Sequence, residues 1–121
     1  MIYYLPVFIY AGLIFWGSSL SSIPKQFPFS VKDKILHIGE YSIFGFLLSR
    51  AAIMFIGKAR RASILFWPIL TGGIYAASDE IHQYFVPGRS CDFLDWLADI
   101  LGLALGITII YIMARKKAAI G

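Results

Sequence analysis

Four long segments of this chain are almost free of charge towards their centres, and they limit the folds that it can adopt. The segments cover about residues 2–20, 33–56, 62–84 and 92–113. Apolar runs of about 18 residues or more are typical of helices that cross a membrane. A helix also satisfies its own backbone hydrogen bonds, as the hydrocarbon interior requires. The sequence therefore predicts an all-α polytopic membrane protein, a four-helix transmembrane bundle that forms a single domain over residues 1–121.

The composition supports the same class of protein. Hydrophobic residues make up 59% of the chain and the mean hydropathy is +0.73, whereas soluble domains are about 45–50% apolar. The single cysteine excludes an intramolecular disulfide and any metal motif built on paired cysteines. The net charge of +4 is explained by a basic edge that faces anionic lipid. We therefore expect a membrane lipid as partner and no nucleic acid.

The basic residues predict how the four segments are oriented. Cytoplasmic loops of membrane proteins carry an excess of Lys and Arg. In a four-span path the 57–61 loop and the C-terminal tail lie on one side, and that side is the more basic. We therefore expect both termini in the cytoplasm. The more basic side carries Arg50, Lys58, Arg60, Arg61, Arg115, Lys116 and Lys117, and the other side carries Lys25, Lys32, Lys34 and Arg89.

All acidic residues and both histidines fall on the side opposite that basic edge. Glu40 and Asp99 each lie roughly 10 Å inside their segments, at about 1.5 Å per residue. A charge at the centre of a membrane helix costs about 2.5–3.5 kcal/mol, so such residues face the bundle interior or a wet cavity and indicate function. The sequence predicts one polar site that opens away from the cytoplasm. The acidic residues are Asp33, Glu40, Asp79, Glu80, Asp92, Asp95 and Asp99.

Helical spacing places several of these residues on one face of the fourth segment. Asp95, Asp99, Gly102 and Gly106 follow one another at steps of four, three and four residues, which keeps them in a single stripe. Gly102 and Gly106 form a Gly-x-x-x-Gly pair, which predicts close approach of another helix. Asp92 heads the stripe, and it could equally be the N-cap of the fourth helix.

These spaced residues resemble the VanZ-like family, small bacterial membrane proteins named for an accessory protein of teicoplanin resistance. The resemblance covers about residues 14–113. It implies a multi-pass protein of the bacterial inner membrane and cell envelope, but it implies no reaction. The family usually has Asn at the position of Asp99. The matching pattern is Lys34-x-x-His37-x-x-x-Tyr41, Asp79-Glu80-x-x-Gln83, Pro87-Gly88-Arg89 and Asp92-x-x-Asp95-x-x-x-Asp99-x-x-Gly102.

The chemistry of these residues suggests a site for a lipid-linked, phosphate-containing head group. An Arg fork suits phosphate, and His is a general acid or base near neutral pH. An enzyme built this way would be a hydrolase or transferase, and whether the chain is an enzyme is left open. As catalytic candidates we take His37, Glu40, Asp79, Glu80 and Asp95, and as substrate-binding candidates Lys34, Tyr41, Gln83, Arg89, Asp92 and Asp99.

Four alternatives or additions stay open at this point. Several carboxylates with His37 would suit a divalent metal such as Mg²⁺ or Mn²⁺. The chain could instead bind or shield an amphiphilic ligand without turnover and contribute to glycopeptide resistance of the teicoplanin type. It could be a small ion-linked transporter, which would need a homo-oligomer because four helices offer few polar groups on the cytoplasmic side. Finally, the polar network could serve only to fix the register of the helices.

Overall fold

Four helices account for most of the described chain. The computed structural model describes residues 2–20, 31–56, 61–89 and 91–120. In chain order the helices are α1 (Leu5–Ser19), α2 (Val31–Ile56), α3 (Arg61–Tyr84) and α4 (Phe93–Ile120). The described residues contain no strand. The predicted all-helical class with four helices is confirmed. Three basic residues used to predict the orientation, Lys25, Lys58 and Arg60, lie outside the described residues.

Two helix ends differ from the predicted segments for local reasons. Helix α1 begins at Leu5, later than residue 2, and Pro6 occupies its first turn. Proline is tolerated there because the first N–H groups of a helix have no intrahelical partner. Helix α4 continues to Ile120, past residue 113, through the sequence ARKKAAI. Ala, Arg and Lys are strong helix formers, so the basic tail extends the helix.

Helices α2 and α4 are the described segments that are long and apolar enough to cross a membrane. Only 33% of the most apolar window of each is buried inside the protein, so much of their apolar surface faces outward. Helix α1 is apolar but has 15 residues, a length of about 22 Å. Two such helices favour a membrane protein. That all four helices cross the bilayer stays a prediction.

The closest helix contact joins α2 and α4 through glycines. A Cβ atom placed at Gly102 would lie 2.5 Å from the carbonyl oxygen of Ile38, and one at Gly106 would overlap the carbonyl oxygen of Ser42. From the other side, a Cβ at Gly45 would lie 2.6 Å from the carbonyl oxygen of Leu103. The Gly-x-x-x-Gly prediction is therefore confirmed, and its partner is α2.

Aromatic side chains join α1 to α2, α3 to α1 and α4 to α3. The Tyr10 hydroxyl donates to the carbonyl of Glu40 at 3.0 Å, and the Tyr75 hydroxyl donates to the carbonyl of Ala11 at 2.5 Å. The Trp96 indole donates to the carbonyl of Gly73 at 3.1 Å. Each bond has a backbone carbonyl of a neighbouring helix as its acceptor, so it fixes the distance between the two helices at that point.

Candidate functional site

The predicted site residues gather at one end of the bundle. This end is formed by the C-terminal ends of α1 and α3 together with the N-terminal ends of α2 and α4. Contacts between these four helix ends bring the polar residues into two buried groups and one open cavity. Most of these polar side chains are buried, although the sequence puts them near helix termini: His37, Asp79, Glu80, Gln83, Asp95 and Asp99 are 8% exposed or less.

The first group surrounds His37, and we call it the His37 cluster (His37, Glu80, Asp95 and Asp99). The ring Nδ1 of His37 lies 2.7 Å from Oδ1 of Asp99, and the Nε2 of the same ring lies 3.8 Å from Oδ2 of Asp95. Ligand atoms of His37, Glu80 and Asp99 all lie within 4.8 Å of one another. Helices α2, α3 and α4 each contribute to this cluster, so its geometry depends on the packing of all three.

Lys34 lies beside the His37 cluster and pairs with two carboxylates of α4. Its Nζ atom is 3.1 Å from Oδ2 of Asp92 and also forms a short ion pair with Asp95. Asp92 has a second role, because its Oδ1 accepts a hydrogen bond from the Leu94 N–H at 2.9 Å. This is the N-cap contact of α4. Asp92 is therefore both a cap and an ion-pair partner.

The second group surrounds Asp79, and we call it the Asp79 cluster (Ser18, Tyr41, Asp79 and Gln83). Oδ2 of Asp79 accepts hydrogen bonds from Ser18 at 2.9 Å, from Gln83 at 3.3 Å and from Tyr41 at 3.4 Å. The donors come from α1, α2 and α3 itself. Ser18 was not among the predicted site residues, since a serine near the end of an apolar helix gives no separate signal in the sequence.

Arg89 contacts the end of α1. Its Nε–H donates to the carbonyl of Leu20 at 3.1 Å and its Nη2–H donates to the carbonyl of Gly17 at 3.2 Å. The last carbonyls of a helix have no intrahelical donor, and a cation there also offsets the helix dipole. The residue predicted to hold a ligand phosphate thus also fixes the C-terminal end of α1 against the loop that follows α3.

An open cavity of about 640 Å³ lies between these helix ends. Its polar wall includes Ser18, His37, Glu40, Gln83 and Arg89, and its outer rim includes Ile35 and Leu36. The two rim side chains are 61% and 62% exposed. The cavity therefore joins a charged interior to an apolar outer surface. Together with the two clusters it contains every predicted site residue, apart from the neighbouring Lys34–Asp92 pair.

His82, the second histidine of the chain, lies at the contact between α1 and α3. Its ring stacks on Phe15 with the ring centres 4.4 Å apart, and its Nε2 is 2.9 Å from the hydroxyl oxygen of Ser19. Neither partner lines the cavity. We therefore interpret His82 as a residue of the helix interface.

Comparison with known proteins identifies the family. The model of the VanZ/LLP1 family matches residues 4–114, which is nearly the whole described chain. No match was found among curated proteins or among solved structures. The matched range contains all four polar helix ends that form the two clusters and the cavity. The resemblance inferred from the polar residues of three segments is confirmed, and the chain belongs to the VanZ/LLP1 family.

Proposed function

We propose that this protein binds the phosphate-containing head group of a membrane lipid in the cavity between its helix ends. In this proposal all four helices cross the inner membrane of a bacterium, both termini are cytoplasmic, and the cavity opens to the opposite side. Membership of the VanZ/LLP1 family and the two long apolar helices support a place in the membrane.

The observation that carries the proposal is the amphiphilic cavity. A lipid has a polar head and an apolar tail, and the cavity offers a polar wall that continues into the exposed rim residues Ile35 and Leu36. The head group would lie against His37, Glu40 and Arg89, and the tail would leave along the outer surface of α2. A soluble phosphate compound would make no use of this rim.

Arg89 is the residue that would hold the phosphate. A guanidinium has five N–H donors, and within the described residues two of them donate to carbonyls at the end of α1. Arg89 lines the cavity, and a phosphate bound there could accept two of its remaining donors side by side. Because the side chain is already anchored by α1, little of its rotamer freedom would be lost when a ligand binds.

Turnover of the bound lipid would use residues of the same wall. His37 and Glu40 both line the cavity, so either could exchange a proton with a bound head group or a water molecule. A lipid-tailed glycopeptide is also an amphiphile of this kind, which is how the cavity would serve teicoplanin-type resistance. Transport finds less support, since Ser49 is the one buried polar side chain described towards the other end of the bundle.

Retention of lipid by an Arg89 variant tests this proposal. Arg89→Lys keeps the charge but loses the paired donors, so we expect the amount of phosphate-containing lipid retained by the purified protein to fall at least tenfold, or about 1.4 kcal/mol. Native mass spectrometry of gently purified protein measures this. The matched control is Arg50→Lys, an exposed arginine of α2, which should retain lipid like the wild type. Equal retention in both variants, or retained lipid without phosphate, would contradict the proposal.

A further inference from the structure

Two buried carboxyl oxygens in the His37 cluster have no hydrogen-bond donor among the described residues. They are Oε1 of Glu80 and Oδ2 of Asp99. Glu80 is 3% exposed and Asp99 is 0% exposed, so bulk water does not donate hydrogen bonds to these oxygens. Buried polar groups are almost always partnered, and each exception calls for an explanation such as an ion. The two oxygens therefore indicate a partner that the side chains of the described residues do not supply.

The ligand atoms around this point have the spacing of a metal site. His37, Glu80 and Asp99 come from α2, α3 and α4, and each offers one ligand atom within 4.8 Å of the others. Two ligands of an ion with bonds of about 2.1 Å are about 3.0 Å apart when adjacent and about 4.2 Å apart when opposite. Nδ1 of His37 and Oδ1 of Asp99 are 2.7 Å apart, which is near the adjacent spacing, and the 4.8 Å limit on all three ligand atoms is near the opposite spacing.

The surroundings of these residues favour an ion as well. The second oxygen of Glu80 accepts a hydrogen bond from the backbone N–H of Asp92 at 3.2 Å, and such outer contacts orient metal ligands. Oδ2 of Asp95 lies 3.8 Å from the far nitrogen of His37, so it is a second outer contact beside the ligands. His37 also lines the open cavity, which gives an ion a path from solvent to the ligands.

We propose that His37, Glu80 and Asp99 bind one divalent cation of the Mn²⁺ or Zn²⁺ type behind the part of the cavity wall that His37 forms. One imidazole with two carboxylates suits these ions better than softer ones, which prefer thiolates. Three protein ligands leave coordination positions for water or for a ligand oxygen. This site stands on the contacts of the His37 cluster and does not depend on the lipid proposal.

Titration of the purified protein with Mn²⁺ tests the site. The full chain in nonionic detergent is stripped with a chelator, and free Mn²⁺ is followed by electron paramagnetic resonance. We expect one ion per chain for the wild type and an affinity at least tenfold weaker for Glu80→Gln and for Asp99→Asn. The matched control is Ser49→Ala. Ser49 is equally buried and its hydroxyl is also unpartnered among the described residues, but it lies towards the other end of the bundle, so its variant should bind like the wild type.

Several results would overturn the metal site. The proposal is overturned if the wild type takes up neither Mn²⁺ nor Zn²⁺, because the two carboxyl oxygens would then have to carry protons. It is also overturned if Glu80→Gln binds Mn²⁺ with the same affinity as the wild type. Where a variant fails to fold, the wild type alone decides, since ligand binding must raise its melting temperature as Mn²⁺ is added. When the lipid retention of Arg89→Lys is measured in the presence of a chelator, no metal is bound. A loss of lipid retention and a loss of Mn²⁺ binding are then separate outcomes.

Discussion

Gly106→Ala is expected to lower the free energy of unfolding by about 3 kcal/mol or more. A methyl group at this position would overlap the carbonyl oxygen of Ser42 and lie 2.7 Å from the backbone nitrogen of Phe46. Both atoms belong to the α2 backbone, which cannot rotate away as a side chain could. The two helices would have to separate, and the His37 cluster would open with them. Unfolding in mixed SDS micelles, followed by circular dichroism, measures the change.

Gly12→Ala is the matched control for this substitution. Gly12 lies inside α1, and a Cβ atom there would meet nothing within 4 Å. Alanine is a better helix former than glycine by about 1 kcal/mol, so this variant should be as stable as the wild type or slightly more stable. If Gly106→Ala and Gly12→Ala unfolded at the same SDS fraction, the tight α2–α4 contact described above would be wrong.

Lys34→Met is expected to cost about 3–5 kcal/mol of stability, because it removes the cation that two carboxylates of α4 share. The Lys34 side chain is 12% exposed and that of Asp95 is 8% exposed, so this ion pair is mostly removed from water. Asp92, the other partner, would keep its N-cap contact with Leu94. The same SDS unfolding experiment measures the loss, with Lys116→Met on the exposed end of α4 as the neutral control.

The double variant Lys34→Met/Asp95→Leu separates loss of the pair from loss of packing. Replacing both partners of a buried ion pair by apolar residues is often neutral, whereas removal of one partner is not. We therefore expect the double variant to recover most of the stability that Lys34→Met loses. A double variant less stable than Lys34→Met would mean that Asp95 stabilises the protein by some contact other than Lys34.

The sequence predicted the faces of the helices but not their partners. The steps between Asp95, Asp99, Gly102 and Gly106 placed them in one stripe of α4, and the structure buries all four. Spacing within one helix cannot tell which neighbour covers its stripe, because that depends on contacts between segments far apart in the chain. The proximity of Glu80 and Asp99 to His37 depends on the same long-range packing.

Two residues show a second limit of sequence reasoning. Arg89 was predicted as a ligand clamp from its charge and its position in the loop, and its bonds to the end of α1 could not be foreseen. Ser18 belongs to the SSLSSIP stretch that also fits the family resemblance, but it was not predicted as a site residue, although it donates to Asp79. Both contacts join α1 to α3 or to the loop that follows α3. The local sequence around either residue does not indicate that these distant segments of the chain lie side by side.

We propose that the polar ends of the four helices, which gather at one end of the bundle, lie on the side of the membrane away from the cytoplasm. Cys91 is the only cysteine, is exposed and lies in the connection between α3 and α4. Partial desolvation and the carboxylates of Glu80, Asp92 and Asp95 raise the pKa of its thiol, so the reactive thiolate forms only at higher pH. Labelling of Cys91 should therefore become faster as the pH rises, and the comparison below is made at one fixed pH near neutral, where maleimides prefer thiols to amines.

Labelling of Cys91 in intact bacterial spheroplasts with a membrane-impermeant maleimide tests this claim most directly. The control is Cys91→Ser with Ala118→Cys, which moves the thiol to the exposed C-terminal end of α4. We expect Cys91 to react in intact spheroplasts and the thiol at position 118 to react only after permeabilisation. The opposite pattern, with Cys91 protected until the membrane is opened and position 118 labelled from outside, would contradict it.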